Sequence, residues 1–395
     1  MRHKKSKNFR IFYIVVFCIA LVGSFIAFQA FLSKDTVVIE TNTPADTGFP
    51  EVKKILATKN VEQQKPYLLA LLKRVGPEQT QEALYRSGLP FTGETHLLIH
   101  TIGDYIYKKY GNDGLHLCRD YFLSACFHAF IIDDLGDHGI NGLAKSIDQC
   151  AKAGSHVLGQ CSHASGHGFL AWKDYEPLEA LKMCDQLGDI SKSVPLFNCY
   201  DGVFMENIYG IHSGHPSPKR WVKKEDPFYP CNDPRIPEKY ILGCWSNQVS
   251  LMRQSYGAEW KTFAANCDQV QNPEYQKMCY NNFARQIHPE TFGKADIAMS
   301  LCENATGRDW QNYCHDTIIG AAYSVGDRTN LPFEICRLAK TEDKQNCYTY
   351  LFQTIEGYEV TTQAALSQCK LVKDPAYQKS CADYQTKSQK FHQAS

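Results

Sequence analysis

Histidines carry the first chemical signal in this chain. Of 14, ten lie between His96 and His215. Two pairs are spaced i, i+4: His96 with His100 in THLLIHTIGD, and His163 with His167 in CSHASGHGFLAW. On a helix that spacing places both rings on one face, a turn apart, within reach of a single ion. Asp104 continues the first face at i+8, and CYDGVFMEN supplies two carboxylates, Asp201 and Glu206. If packing brings these faces together, His96, His100, His128, His163, His167 and Glu206 form a mixed histidine and carboxylate site suited to zinc, iron or another first-row divalent ion. The competing reading of the same residues is a buried hydrogen-bond network of histidines.

Gly166 and Gly168 flank His167. Glycine in a helix costs up to about 1 kcal/mol against alanine, so the pair implies that another backbone, or a ligand, comes close there. Familiar catalytic signatures are missing. Ala164 stands where the glutamate of a metalloprotease HExxH would fall, and no Cys-x-x-Cys-His, G-x-S-x-G, Walker loop or dinucleotide fingerprint occurs. IIDDLGDHGIN gathers Asp133, Asp134, Asp137 and His138 without the ligand spacing of an EF-hand, and reads as a solvated turn more readily than as a calcium loop. Asn304-Ala305-Thr306 matches a glycosylation sequon between paired cysteines and decides nothing.

The elements that must position these residues are marked by cysteine. Sixteen of the 17 lie beyond Cys18, and taken as neighbours in order, seven of the eight pairs are 11 to 15 residues apart. Their first members recur at 150, 184, 231, 267, 302, 336 and 369. An even count without zinc-finger spacing argues for disulfides in an oxidising compartment. A period in the thirties is the mark of stacked supersecondary units. Mid-pair turns such as Asn272-Pro273 and Asp374-Pro375 can cap and open a helix. Each unit is therefore expected to be a short helix ending at the first cysteine, a tight turn, and a longer helix carrying the second. The fold class is all-α, a disulfide-stapled α-solenoid of helical hairpins. Each local loop of about a dozen residues contributes roughly 3 kcal/mol in the chain-entropy model.

Aligning the units on their second cysteine puts His128, His163 and Asp201 at one repeat position, followed by Ser246, Asn281, Asp316 and Thr349. An aromatic stands four before that cysteine at Tyr240, Tyr275, Trp310 and Tyr377, on the same helix face, and is expected in the core. The long step from Cys184 to Cys231 holds an insertion rich in proline. It is basic at Lys219, Arg220, Lys223 and Lys224 and aromatic at Trp221, Phe228 and Tyr229. It reads as a solvated insertion or, less simply, as a partner-facing surface.

Ahead of the repeats, MRHKKSKNFR carries five Lys or Arg and no acid, and Ile11 to Leu32 runs without a charge. That length spans a bilayer, and the basic flank places the N-terminus in the cytoplasm with the bulk outside. A cleaved signal peptide is the rival, but the apolar run is long and Phe28-Gln29-Ala30 makes a poor cleavage site. The expected organisation is a basic cytoplasmic tail (1–10), a transmembrane signal anchor (11–32), a stalk (33–49), an N-terminal helical histidine-rich region (50–149), cysteine-paired repeats (150–384) and a polar tail (385–395). With Lys+Arg and Asp+Glu equal at 42 each, no whole-chain basic field exists to hold nucleic acid.

From Cys150 to Tyr384, period and paired cysteines make the chain resemble tetratricopeptide-type helical repeats, and more narrowly bacterial cysteine-rich repeat proteins in which a disulfide joins the two helices of each unit. The resemblance implies binding of a protein or peptide along a concave face, and brings no catalytic residues. Two functions of different class follow. One is an extracytoplasmic binding scaffold that holds a protein, peptide or glycan near the membrane. The other is a metal-dependent hydrolase, in which the ion lowers the pKa of a bound water and Glu206 or Asp201 serves as base.

Overall fold

The computed structural model describes residues 47–89, 93–122, 124–210, 217–257, 259–324, 330–358 and 362–392. The expected span at 11–32 and nearly all of the stalk lie outside these residues, as do His212, His215 and Cys18. Among the described residues there are 18 α-helices and no strand, and no helix is long and apolar enough to cross a membrane.

Eight disulfides join the cysteines as sequence neighbours, from Cys118–Cys126 to Cys369–Cys381, with Cα–Cα distances from 5.4 to 6.5 Å. Those distances suit a bridge without backbone movement. All sixteen half-cystines are buried.

The N-terminal layer comprises α1 (Pro50–Ala57), α2 (Val61–Val75), α3 (Pro77–Arg86) and α4 (Gly93–Tyr110). Its core is aliphatic, with Ile55, Leu68, Leu71, Leu98, Ile102 and Ile106 all fully buried. Four helices then build the central part: α5 (Ala125–Ala153), α6 (Ser155–Trp172), α7 (Pro177–Ile190) and α8 (Leu196–Tyr209). Gly139, at φ 65° and ψ −172°, kinks α5 into two helical pieces. The second piece and α6 make one hairpin through Gly154 at φ 120°, a left-handed turn that glycine adopts without strain.

The repeats beyond the insertion run through α9 (Glu238–Trp245), α10 (Gln248–Tyr256), α11 (Trp260–Asp268), α12 (Pro273–Ile287), α13 (Ala295–Cys302), α14 (Arg308–Ser324), α15 (Leu331–Leu338), α16 (Lys344–Tyr358), α17 (Thr362–Cys369) and α18 (Pro375–His392). From α11 onward the expected unit is realised four times, a helix of 8 or 9 residues followed by one of 15 to 18. The caps follow the sequence. Asn272 Oδ1 accepts from the backbone of Glu274 at 2.9 Å, and Asp374 Oδ1 from that of Ala376 at 3.0 Å.

Aromatics expected in the core do something more specific. Trp310 stacks on Tyr280 of the unit before at 4.3 Å between ring centres, Tyr377 on Tyr348 at 4.1 Å, and Tyr240 meets Tyr200 edge-on at 4.8 Å. In each case the residue one past a cysteine meets the residue four before the next unit's second cysteine. Stacking therefore couples neighbouring units.

The three earlier units depart from the pattern: the first joins the second piece of the 29-residue α5 to an α6 of 18 residues, the second pairs α7 and α8 of 14 residues each, and the third has no first helix. Cys231 lies in a run of turns rather than at the end of a helix, because Pro227, Pro230, Pro234 and Pro237 remove the backbone donors a helix needs. The insertion's aromatics fold inward. Tyr229 is buried, Trp221 stacks on it, Phe228 packs against Trp245, and Arg235 and Lys223 lie over the Trp221 and Tyr229 rings.

Asp316 and His315, adjacent on α14, give an opposed pH dependence. Burial pushes the Asp316 carboxyl from 3.8 up to about 7. Burial pushes His315 down from 6.5 to about 4, partly countered by Asp343. Between pH 4 and 7 the folded chain keeps a proton on Asp316 that the unfolded chain has released, so this group lowers stability as pH rises; His315, neutral when folded and protonated when unfolded, does the reverse below about 6.5. Replacing Asp316 by Asn is therefore expected to raise the melting temperature relative to the wild type by an amount that grows from pH 4 to pH 7 and then levels off. A difference that is flat with pH, read by circular dichroism melts, would contradict this assignment.

Candidate metal centre

The five histidines singled out by spacing come from three consecutive helices: His96 and His100 from α4, His128 from the first turn of α5, His163 and His167 from α6. Glycines allow the helices this close. A Cβ at Gly103 of α4 would fall 2.3 Å from the carbonyl of Cys126 on α5. One at Gly166 of α6 would fall 2.1 Å from the carbonyl of Cys199 on α8, and one at Gly202 of α8 would fall 2.1 Å from that of His163. The close backbone expected beside His167 is thus α8. Gly168 instead makes room for the Leu135 side chain.

His96, His100 and His128 present one ring nitrogen each within 4.8 Å of one another. His96 Nε2 lies 3.0 Å from His100 Nε2 and 3.1 Å from His128 Nδ1. Two imidazoles on one tetrahedral zinc, at the usual bond length of about 2.0–2.1 Å, hold their nitrogens about 3.3 Å apart, so the observed spacing fits ligands converging on one ion. The other nitrogen of His96 faces the Phe122 carbonyl at 2.9 Å. A carbonyl only accepts, so Nδ1 carries the proton and Nε2 turns its lone pair to the cluster. Phe122 itself is held at φ 52° within the short loop closed by Cys118–Cys126, a left-handed conformation costly for phenylalanine.

His163 and His167 form the adjoining pair, with their Nε2 atoms 3.0 Å apart. Behind them stand the two carboxylates of α8. His163 Nδ1 is 2.9 Å from Asp201 Oδ2, and His167 Nδ1 donates to Glu206 Oε2 at 3.0 Å. Burial alone would raise the Asp201 carboxyl, but hydrogen bonding and charge from His163, with a further bond from Ser246, hold it down at about 2. Asn247 also donates to Asp201, at 2.8 Å. The α9 helix breaks at Ser246-Asn247, where both side chains turn to this carboxylate. Glu206, fully buried, accepts at its second oxygen from Tyr175 at 2.7 Å. Both carboxylates therefore meet the Nδ1 edges of the histidines, which leaves Nε2 as the ligating edge, an outer-shell arrangement common around metal-bound histidine.

The His128 ring lies between the two groups. Its centre is 4.9 Å from that of His96, 5.4 Å from His163 and 5.6 Å from His167. It is 5% exposed, and its Nε2 is buried without a hydrogen-bond partner. Burial, followed by the surrounding histidines, pushes its pKa well below the ordinary value. His96 and His100 are only partly buried.

Other residues named from the sequence fall elsewhere. Asp104 lies close enough to Asp133 that, after burial, it is what lifts that carboxyl to about 6. The acidic cluster is part of α5 and neither a solvated turn nor a calcium loop. Ile131 and Leu135 bury one face there, and Asp134, fully buried, accepts from Asn112 and Ser146 and meets His138 at 2.9 Å. Tyr175 and Asn247 had no signal in spacing. Tyr175 sits at φ 63° in the turn after α6, and only the fold brings it to Glu206.

No family model, curated protein sequence or solved structure matches this chain.

The glycine contact between α6 and α8 sets the distance from His163 to Asp201. Gly202→Ala is expected to lower unfolding stability by about 3 kcal/mol, since its Cβ meets backbone that cannot rotate away. Gly136→Ala, at an exposed helical position with open space around it, is expected to be neutral or stabilising by up to about 1 kcal/mol. Equal effects of the two in urea unfolding would refute the close-packing account.

Proposed function

We propose that this chain is a membrane-anchored, extracytoplasmic metal-binding repeat protein of the cell envelope. The observation that carries the reading is the convergence of His96, His100 and His128 nitrogens within 4.8 Å. All-imidazole donors suit zinc, copper, iron or nickel. Eight disulfides are those of an oxidising, extracytoplasmic compartment. The uncharged run from Ile11 to Leu32 behind its basic flank supplies the anchor. In this reading the units stack as an α-solenoid of tetratricopeptide type, whose concave face takes a protein, peptide or glycan.

A metal-dependent hydrolase is the second reading. The partial exposure of His96 and His100 favours it, since catalytic ions keep an open position for water or substrate. Neither proposed base is well placed for it. Glu206 is engaged at both oxygens and sealed from solvent, and Asp201 is held by His163, Ser246 and Asn247.

Metal content of the purified full-length protein, read by inductively coupled plasma mass spectrometry, tests the first reading. The wild type is expected to carry near-stoichiometric metal, and His96→Ala with His100→Ala to carry about one equivalent less. No metal in either, or the same amount in both, would overturn it.

A further inference from the structure

Three imidazoles that share one tetrahedral ion through nitrogen set their ring centres about 5 Å apart. His96, His100 and His128 make one such triangle, with sides of 4.7, 4.9 and 6.0 Å. A second triangle of the same size stands beside it. His128, His163 and His167 are separated by 5.4, 5.6 and 4.7 Å. The triangles share the His128 ring, and that ring has two nitrogens with different surroundings. Nδ1 belongs to the first triangle, 3.1 Å from His96 Nε2. Nε2 is buried with no hydrogen-bond partner. An orphaned buried nitrogen is costly and rare, and calls for a ligand.

The second triangle also has its outer contacts in place. His163 and His167 each turn Nδ1 to a buried carboxylate, Asp201 and Glu206, which orients both Nε2 atoms to the same side, 3.0 Å apart. Two lone pairs at that distance, both pinned by hydrogen bonds behind, are stabilised by a cation between them.

We propose that the centre binds two divalent ions that share His128: one on His96, His100 and the Nδ1 of His128, the other on His163, His167 and the Nε2 of His128. The proposal rests on the first triangle being a metal site and adds the second ion and the bridge. When both ions are bound, the shared ring holds no N–H, and its proton is released to water. Ions on opposite nitrogens of one imidazole stand about 6 Å apart, given metal–nitrogen bonds of about 2.0–2.1 Å. That is too far to share a single water, as two-metal hydrolytic pairs about 3.5–4 Å apart do. The donor set is imidazole throughout and suits copper and zinc.

Copper(II) reports directly on the bridge. The full-length protein would be stripped with chelator and titrated with copper(II), with bound metal counted by mass spectrometry and the electron paramagnetic resonance signal recorded at each step. Two equivalents are expected. The isolated copper signal should grow through the first equivalent and collapse as the second couples to it through His128. His163→Ala with His167→Ala should keep one equivalent and an uncoupled signal, with helix content and disulfides unchanged.

Two equivalents whose signals simply add would overturn the bridge. Saturation at one equivalent would overturn the second site and leave the first, whereas no binding at all would overturn the metal reading itself. Loss of both equivalents in the folded double variant would mean a single site, and would also overturn the proposal. If that variant does not fold, the wild-type stoichiometry and coupling decide alone.

Discussion

The disulfide inside each hairpin is the constraint on which the rest of the structure depends. In the last four units a helix of eight or nine residues against one of 15 to 18 buries too little to hold its own register, and stacking on neighbours supplies the remaining stability. The covalent tie fixes the two helices at one height, and every half-cystine is buried. Residues at a set distance from the second cysteine are thereby carried to equivalent places in successive units. The position two beyond it shows the result. His128 lies against His163, His163 Nδ1 meets Asp201 at 2.9 Å, and Ser246 donates to Asp201. One repeat position has become a continuous buried row, with His96 and His100 at one end and the break between α9 and α10 at the other.

A buried polar row survives only where each member answers the next. Asp201 shows the balance: burial works against its charge, and the bonds from His163 and Ser246 more than reverse that. Further along, the same position is occupied without such partners. At Asp316 burial is the sole cause acting, and its carboxyl goes up instead of down. The row thus has chemistry at the N-terminal end of the repeats and loses it towards the C-terminal end, in parallel with the decline of histidine along the sequence. The aromatic couplings do not decline. Tyr200 with Tyr240, Tyr280 with Trp310 and Tyr348 with Tyr377 recur along the stack. Structural and chemical signals occupy different positions of the same repeat.

Much of this was legible in the sequence, because cysteine spacing and proline or asparagine turns act locally. The disulfide pairing, the short and long helices of the last four units and the shared register of His128, His163 and Asp201 follow from the cysteine period and the turn residues. What was not legible depends on distances between units. Spacing placed Glu206 among candidate ligands, while the fold turns it to the Nδ1 edge of His167 and gives its second oxygen to Tyr175, a residue with no pattern to mark it. The acidic run in IIDDLGDHGIN looked like a turn, since three acids, a histidine and two glycines outnumber its four aliphatics. Burial of Ile131 and Leu135 against the core made it helix. The insertion's aromatics likewise gave no hint that Trp221 and Tyr229 would stack on each other under Arg235 and Lys223.

The two halves of the histidine cluster differ in burial, and that difference bears on what each can do. Behind His163 and His167 stand two buried carboxylates, enough to neutralise one divalent ion inside the protein. An ion there needs no further anion, and 2% exposure at His167 gives solvent little access. Behind His96 stands the neutral carbonyl of Phe122, and both His96 and His100 reach partly into solvent. An ion on that side would lie nearer to solvent than one between His163 and His167. A binding or catalytic role that uses this centre would therefore act at the His96 and His100 edge, with the inner pair serving to fix the His128 ring from behind.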